Sequence, residues 1–262
     1  MNGIIELNLF QFGLVYLLLL VILAIMKKSR IKQTRLLLVA SLRMTVQLVL
    51  AGLILTYIFG NPQPIFTTLY VCAMIGFSIH RVLSKNPTLN RRFKWIVALS
   101  IAGAGLLIEL FFIKVVIGTA IFNPQYAIPL SGMIFGNTMT GLNLGLKSFT
   151  ESIEAEKNRI ETLLNLGVRP SKILLPFVNN SLETALLPTM NSMIGMGIVS
   201  LPGMMTGQIL SGTLPAVAIL YQIAIMIAIC TVVCLSVFSS LYWGHKTLYN
   251  QRNQLLIPGW YN

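Results

Sequence analysis

The chain divides into seven apolar stretches, each near the ~20 residues that a helix needs to cross a bilayer, joined by short polar connections. They run approximately over 8–26, 36–59, 65–83, 95–117, 126–146, 186–206 and 217–240. Lipid offers no partner to a backbone N–H or C=O, so stretches of this kind fold as helices that satisfy their own backbone. The pattern predicts an all-α membrane protein, a bundle of about seven transmembrane helices forming a single permease-like domain over 1–262.

Composition agrees with that reading. Only 10% of the 262 residues are charged and 55% are hydrophobic, against about 25% charged in a soluble domain. The first apolar stretch has Glu6 ahead of it in place of a basic segment, so it reads as a spanning helix and not as a cleaved signal.

The basic residues set the orientation. Seventeen of the 19 Lys and Arg fall in four places: 27–35, 81–94, 147–185 and the tail after 240. The intervening loops 60–64, 118–125 and 207–216 have none. Cytoplasmic loops carry the excess of Lys and Arg, which predicts an N-terminus outside and a C-terminus in the cytosol, in the plasma or inner membrane. The net charge of +12 is thus divided into clusters beside the membrane. It suits contact with the lipid bilayer and argues against nucleic acid.

All seven acids are Glu (6, 109, 151, 154, 156, 161 and 183) and there is no Asp. That argues against paired-carboxylate catalysis and carboxylate-rich metal centres. Cys72, Cys230 and Cys234 lie in apolar runs without a C-x-x-C spacing and read as buried free thiols. His80 and His245 have no ligand-spaced partner.

The one sizeable polar segment, 147–185, is expected on the cytosolic side. Ser148 and Glu151 fit a capping box that would start a helix there. Ile153, Ile160, Leu163 and Leu164 would share one face of it, and Gly167 followed by Pro170 would stop it. A second helical run leads from Ser171 back towards the membrane. Such a corner is either a plain interfacial hairpin or an element that docks on a cytosolic partner and passes its motion to the membrane helices. Arg159, Glu161, Gly167, Arg169 and Pro170 are the candidates for that coupling.

Within the spans, Arg43, Glu109 and Lys114 are ionisable, each at a cost of about 2.5–3.5 kcal/mol at mid-bilayer on insertion scales. Lys114 is close enough to a helix end to snorkel. Counting helical rise puts Arg43 roughly 10 Å and Glu109 roughly 18 Å above the inner boundary, a gap an Arg side chain could largely cover. The shared insertion cost predicts that both face the bundle interior and pair directly or through water or substrate, as a structural ion pair or as part of the transport path. Gln47 is one turn beyond Arg43. Glu183, near the entry of the sixth span, is a further candidate at the cytosolic mouth. With Asn137, Met204 and Met205 these are the candidate transport-pathway residues. The methionines around 190–205 are soft ligands or flexible packing filler.

Small residues recur every four positions at Gly195, Val199, Gly203 and Gly207, and the fifth span has the same spacing from Gly132 to Gly136 and then through Asn137, Gly141 and Gly145, a spacing that lets membrane helices approach closely. Pro202 and Gly203 are the candidate hinge of the sixth helix.

Some motifs carry a resemblance. Glu161 to Gly167 is similar to the EAA loop of ABC permeases, with Thr and Leu in place of its alanines. Gly197-Ile-Val-Ser-Leu-Pro-Gly-Met-Met-Thr-Gly207, Arg43-Met-Thr-Val-Gln47 and Ile128-Pro129-Leu-Ser-Gly132-Met-Ile-Phe-Gly136-Asn137 resemble the FetB-type ABC permease family, which includes plant aluminium-tolerance relatives. The resemblance implies a homodimeric permease working with a separate ABC ATP-binding subunit that holds ATP and Mg²⁺. It implies no cofactor on this chain and no enzymatic activity of its own. Bacterial members are associated with iron export, plant relatives with nucleotide-sugar transport. The chain has no G-x-x-x-x-G-K-[ST] phosphate loop, so an ATPase would be a separate polypeptide. A stand-alone secondary transporter or channel, and a signalling partner of an ATPase, remain as alternatives.

Overall fold

Nine α-helices account for most of the computed structural model, which describes residues 8–31, 33–250, 252, 254 and 255. Glu6 and Lys32 lie outside the described residues. The helices are α1 (Leu9–Lys28), α2 (Thr34–Gly60), α3 (Pro64–Lys85), α4 (Arg91–Phe111), α5 (Pro124–Ala155), α6 (Lys157–Asn165), α7 (Pro170–Gly195), α8 (Gly203–Leu210) and α9 (Pro215–Gly244). A π-helical turn, Phe112–Ile117, extends α4, and a 3₁₀ turn, His245–Leu248, extends α9.

Five of these are long and apolar enough to cross a membrane: α1, α2, α3, α4 with its π turn, and α9 with its 3₁₀ turn. The starts follow local rules. Asn90 caps α4 by accepting the Phe93 N–H at 2.7 Å, and Asn123 caps α5 by accepting the Gln125 N–H at 3.1 Å. Pro64, Pro124, Pro170 and Pro215 occupy first turns, where a missing N–H costs nothing.

The core forms where α4, α5, α7 and α9 meet. Phe93, Val97 and Ile101 of α4 pack with Leu142, Leu146 and Phe149 of α5 and with Val233, Val237 and Leu241 of α9. Gly141 and Gly145 allow this approach. A Cβ on Gly141 would lie 2.6 Å from Val233 Cγ1, and one on Gly145 would lie 3.3 Å from the Ala185 Cβ. The predicted small-residue face of α5 is therefore used at these two positions, whereas Gly136 faces open space. Helices α1 and α2 stand apart from the core: no residue in the most apolar stretch of either is buried. A Tyr16–Thr45 hydroxyl contact links them to each other.

Three expectations are corrected. The Ser148–Glu151 capping box starts nothing: α5 is continuous from Pro124 to Ala155, and the break comes at Glu156 (φ −103°, ψ 22°). Inside a helix the Ser148 hydroxyl has no free N–H to accept from, and it meets the Thr184 hydroxyl at 3.5 Å. The stretch 186–206 is not one helix. Helix α7 begins at Pro170 and ends at Gly195. Gly197 then turns at φ +84°, with its N–H donated to the Ser200 carbonyl at 2.9 Å. Pro202 is the N-cap of α8, so Pro202 and Gly203 begin a helix and do not kink one. Gly195 to Gly207 accordingly form no continuous face. Finally, Cys72 is exposed, and Cys230 and Cys234 are half-buried, so the thiols are free but not enclosed.

Candidate functional site

The corner after α6 is built by two backbone features. Leu166 and Gly167 end the helix, with Gly167 at φ +80°, a left-handed conformation that costs a residue with a Cβ about 1–2 kcal/mol. Pro170 then opens α7. The inner face of α6 carries Ile160, fully buried, with Leu163 and Leu164 half-buried against the core. That leaves the tip bare: Leu166 is 74% exposed, flanked by exposed Asn165, Gly167 and Arg169.

The charges around the tip are mostly paired within α6. Arg159 Nη1 lies 2.7 Å from Glu156 Oε2, and Lys157 lies 3.9 Å from Glu161. Exposed pairs of this kind contribute under about 1 kcal/mol. Glu161 and Gly167 also line a cleft of about 520 Å³ whose other wall is Arg252, Gln254 and Leu255. The tail is held there by a Tyr249–Leu255 bridge and by the Asn250 side chain, which accepts the Gln254 N–H at 3.0 Å. The sequence carried little sign of this second wall, since the tail is short and lacks a periodic pattern.

A second arrangement runs along α5 and α7. Asn137, Thr140 and Lys147 are exposed on one face of α5, with Asn143 half-buried beside them. Asn180, Glu183 and Asn191 are exposed on one face of α7. By helical position, the Ser148–Thr184 contact lies at the edge shared by the two faces. The Asn143 side-chain oxygen is buried without a partner among the described residues. The two faces together make a polar stripe that no other described element covers.

Arg43 and Glu109 do not meet. The Arg43 guanidinium carbon lies 5.7 Å from the centroid of the Phe77 ring on α3, a cation–π contact. Gln47 is exposed one turn on. Glu109 is buried on α4 and is paired with Ser131 of α5. Helix α2 packs too lightly on the bundle to carry Arg43 inside, which is the reason for the difference.

The methionines split. Met190 and Met193 are exposed, Met204 is half-buried and Met205 is buried. The Met196 sulfur accepts from Gln222 Nε2 at 3.7 Å. No group of three or more His, Cys, Asp or Glu occurs among the described residues. His245 is buried with Nδ1 3.1 Å from the Leu241 carbonyl, while His80 is exposed.

Comparison with known proteins adds a family. The model of an uncharacterised protein family, UPF0014, matches residues 9–249. A UPF0014 membrane protein of Synechocystis is 34% identical over 261 residues, 98% of this chain and 99% of that protein. The Escherichia coli protein named "Probable iron export permease protein FetB" is 30% identical, over 82% of each chain. The Arabidopsis thaliana protein ALUMINUM SENSITIVE 3 is 32% identical over 81% of this chain and 77% of its own. No solved structure matches.

Proposed function

The chain belongs to the UPF0014 family of multi-pass membrane proteins, and from that premise we propose that it is the permease subunit of an ATP-driven exporter. A separate ABC-type subunit holds the ATP and Mg²⁺, and the cargo is a metal cation such as iron. The observation that carries the coupling is the α6–α7 corner, which offers an exposed Leu166 on a turn that only Gly167 adopts without strain. A rigid turn with an apolar tip suits a socket on a moving partner. The iron assignment leans on the E. coli relative's name.

Seven crossings account for the hydropathy: α1, α2, α3, α4 with its π turn, α5, α7 and α9. The N-terminus is then outside and the corner in the cytosol, because the Lys and Arg clusters lie on that side. The polar stripe of α5 and α7 lines the pathway, and a second copy of the chain covers it. In a single copy Asn137, Thr140 and Glu183 would face lipid, at a cost that pairing of two stripes around water removes.

Affinity purification of the tagged chain from its native membrane tests the reading. A stoichiometric ATP-binding subunit, lost when 159–170 is altered, is the expected result. A stand-alone secondary transporter is the second reading, favoured by Glu109, an ionisable group enclosed among helices. Recovery of the chain alone, with ion-driven flux in liposomes, would put that reading first.

A further inference from the structure

Glu109 is away from the exposed stripe of α5 and α7. It lies on α4, is only 4% exposed, and lines a cavity of about 150 Å³ between α3, α4 and α5. Its Oε1 contacts the Ser131 hydroxyl, and its Oε2 is buried with no partner among the described residues. The π-helical turn begins three residues later, at Phe112; such turns recur at functional positions in helices.

The hydrogen count decides the protonation state. Ser131 Oγ lies 2.7 Å from the Ala127 carbonyl oxygen, which can only accept. At that separation the single hydroxyl proton sits between the two oxygens, since without it their lone pairs would repel. The Glu109–Ser131 contact then needs a second proton, and only the carboxyl can hold it. An ionised carboxylate enclosed in apolar surroundings would moreover require a cation. None is at hand: the ion pairs among the described residues are Lys147–Glu151, Lys157–Glu161 and Arg159–Glu156.

We propose that Glu109 is a proton-binding site inside the bundle, a neutral carboxylic acid that donates to Ser131, which in turn donates to the Ala127 carbonyl. The ionisable groups on the elements packed around it carry no positive charge to it. Cys72 of α3 lines the same cavity, Tyr70 is half-buried two residues before it, and His80, Arg81 and Lys85 are exposed two turns or more further along α3. Tyr126 is the ionisable residue one turn before Ser131 in α5, and Tyr221, Cys230 and Cys234 are those in the membrane part of α9. Lys114 is exposed on the π turn, and Arg43 rests on Phe77. The cavity beside it has room for water, so the proton is lost when a water or a cation in that cavity takes over the contact with the carboxylate. The inference stands whether or not an ATPase drives the chain.

Infrared spectroscopy of the full chain in lipid tests it. Every acid in the chain is Glu, so ¹³C-glutamate labelling moves any protonated-carboxyl C=O band without interference from Asp. The expected result is one such band at neutral pH, lost in Glu109→Gln and shifted in Ser131→Ala. Glu109→Gln should keep the wild-type melting temperature, since an amide donates to Ser131 as the acid does. No band in the wild type, or a band that survives Glu109→Gln, overturns the proposal. If Glu109→Gln does not fold, Ser131→Ala decides, and an unmoved band there overturns it.

Discussion

Gly141 of α5 leaves the space that Val233 of α9 occupies: a Cβ on Gly141 would come within 2.6 Å of Val233 Cγ1. Helix α5 contributes no side chain here and the Val233 side chain packs directly on its backbone, the kind of close approach by which membrane helices gain packing when apolar burial offers little between them and lipid. Gly141→Val should lower stability by about 1–3 kcal/mol, the usual range for overpacking. Val233→Ala in the same chain should restore part of it. Gly136→Ala, which meets nothing within 4 Å, should leave thermal unfolding in detergent unchanged.

At the start of α4, Asn90 does two things. Its Oδ1 caps the helix through the Phe93 N–H, and its Nδ2 reaches the Thr247 carbonyl at 3.0 Å beyond the end of α9. Asn90→Asp keeps the cap acceptor and loses the donor. Asn90→Ala loses both, at about 1 kcal/mol for the cap and about 1 kcal/mol for the tie. Unfolding midpoints should therefore fall in the order wild type, Asn90→Asp, Asn90→Ala. Equal midpoints for the two variants would show that the tie contributes nothing.

Gly167→Leu puts a side chain at φ +80°. The expected result is a small loss of thermal stability, about 1–2 kcal/mol, with, on the proposed reading, a large loss of export and of co-purification with the proposed ATPase subunit. Unchanged complex formation and transport would remove the corner from the coupling path.

Leu166 is exposed and its replacement disturbs no packing in the chain. Leu166→Glu should keep the melting temperature of the isolated chain and, on the proposed coupling, weaken binding of the proposed ATPase subunit at least tenfold, the fold-change of about 1.4 kcal/mol. Pull-down against a titration of the partner reads this directly.

Asn137→Leu makes the α5 stripe more lipid-like. Transport should drop while thermal stability holds or rises, because an apolar side chain replaces an amide whose Nδ2 reaches only its own helix, at the Met133 carbonyl. Transport at the wild-type rate would place the pathway elsewhere.

Much of this molecule was legible along the chain. The Gly167 corner, the apolar stripe of Ile160, Leu163 and Leu164, and close packing at Gly141 and Gly145 of α5 follow from local spacing and are present, whereas Gly136 of the same spacing packs against nothing. The misplaced features have one cause. Ser148–Glu151 looks like a helix start because a capping box is a local pattern, yet α5 passes through it on the support of α7 and α9. The run 186–206 is apolar throughout, so hydropathy could not register the turn at Gly197. Arg43 and Glu109 were matched by depth and shared insertion cost, and neither says which helix faces meet.

The sequence by itself determined the solvent of this protein. Hydropathy, stretch length and the absence of charge are sums over neighbouring residues, and they require helices in lipid wherever those helices pack. Tertiary structure alone decided which faces meet: Gly141 against Val233, Asn90 against Thr247, Glu109 against Ser131. Each of these pairs joins residues from different helices, 22 to 157 positions apart in the two bonded cases. Such choices rest on the shape and hydrogen-bond complementarity of whole helix surfaces, which no local window contains.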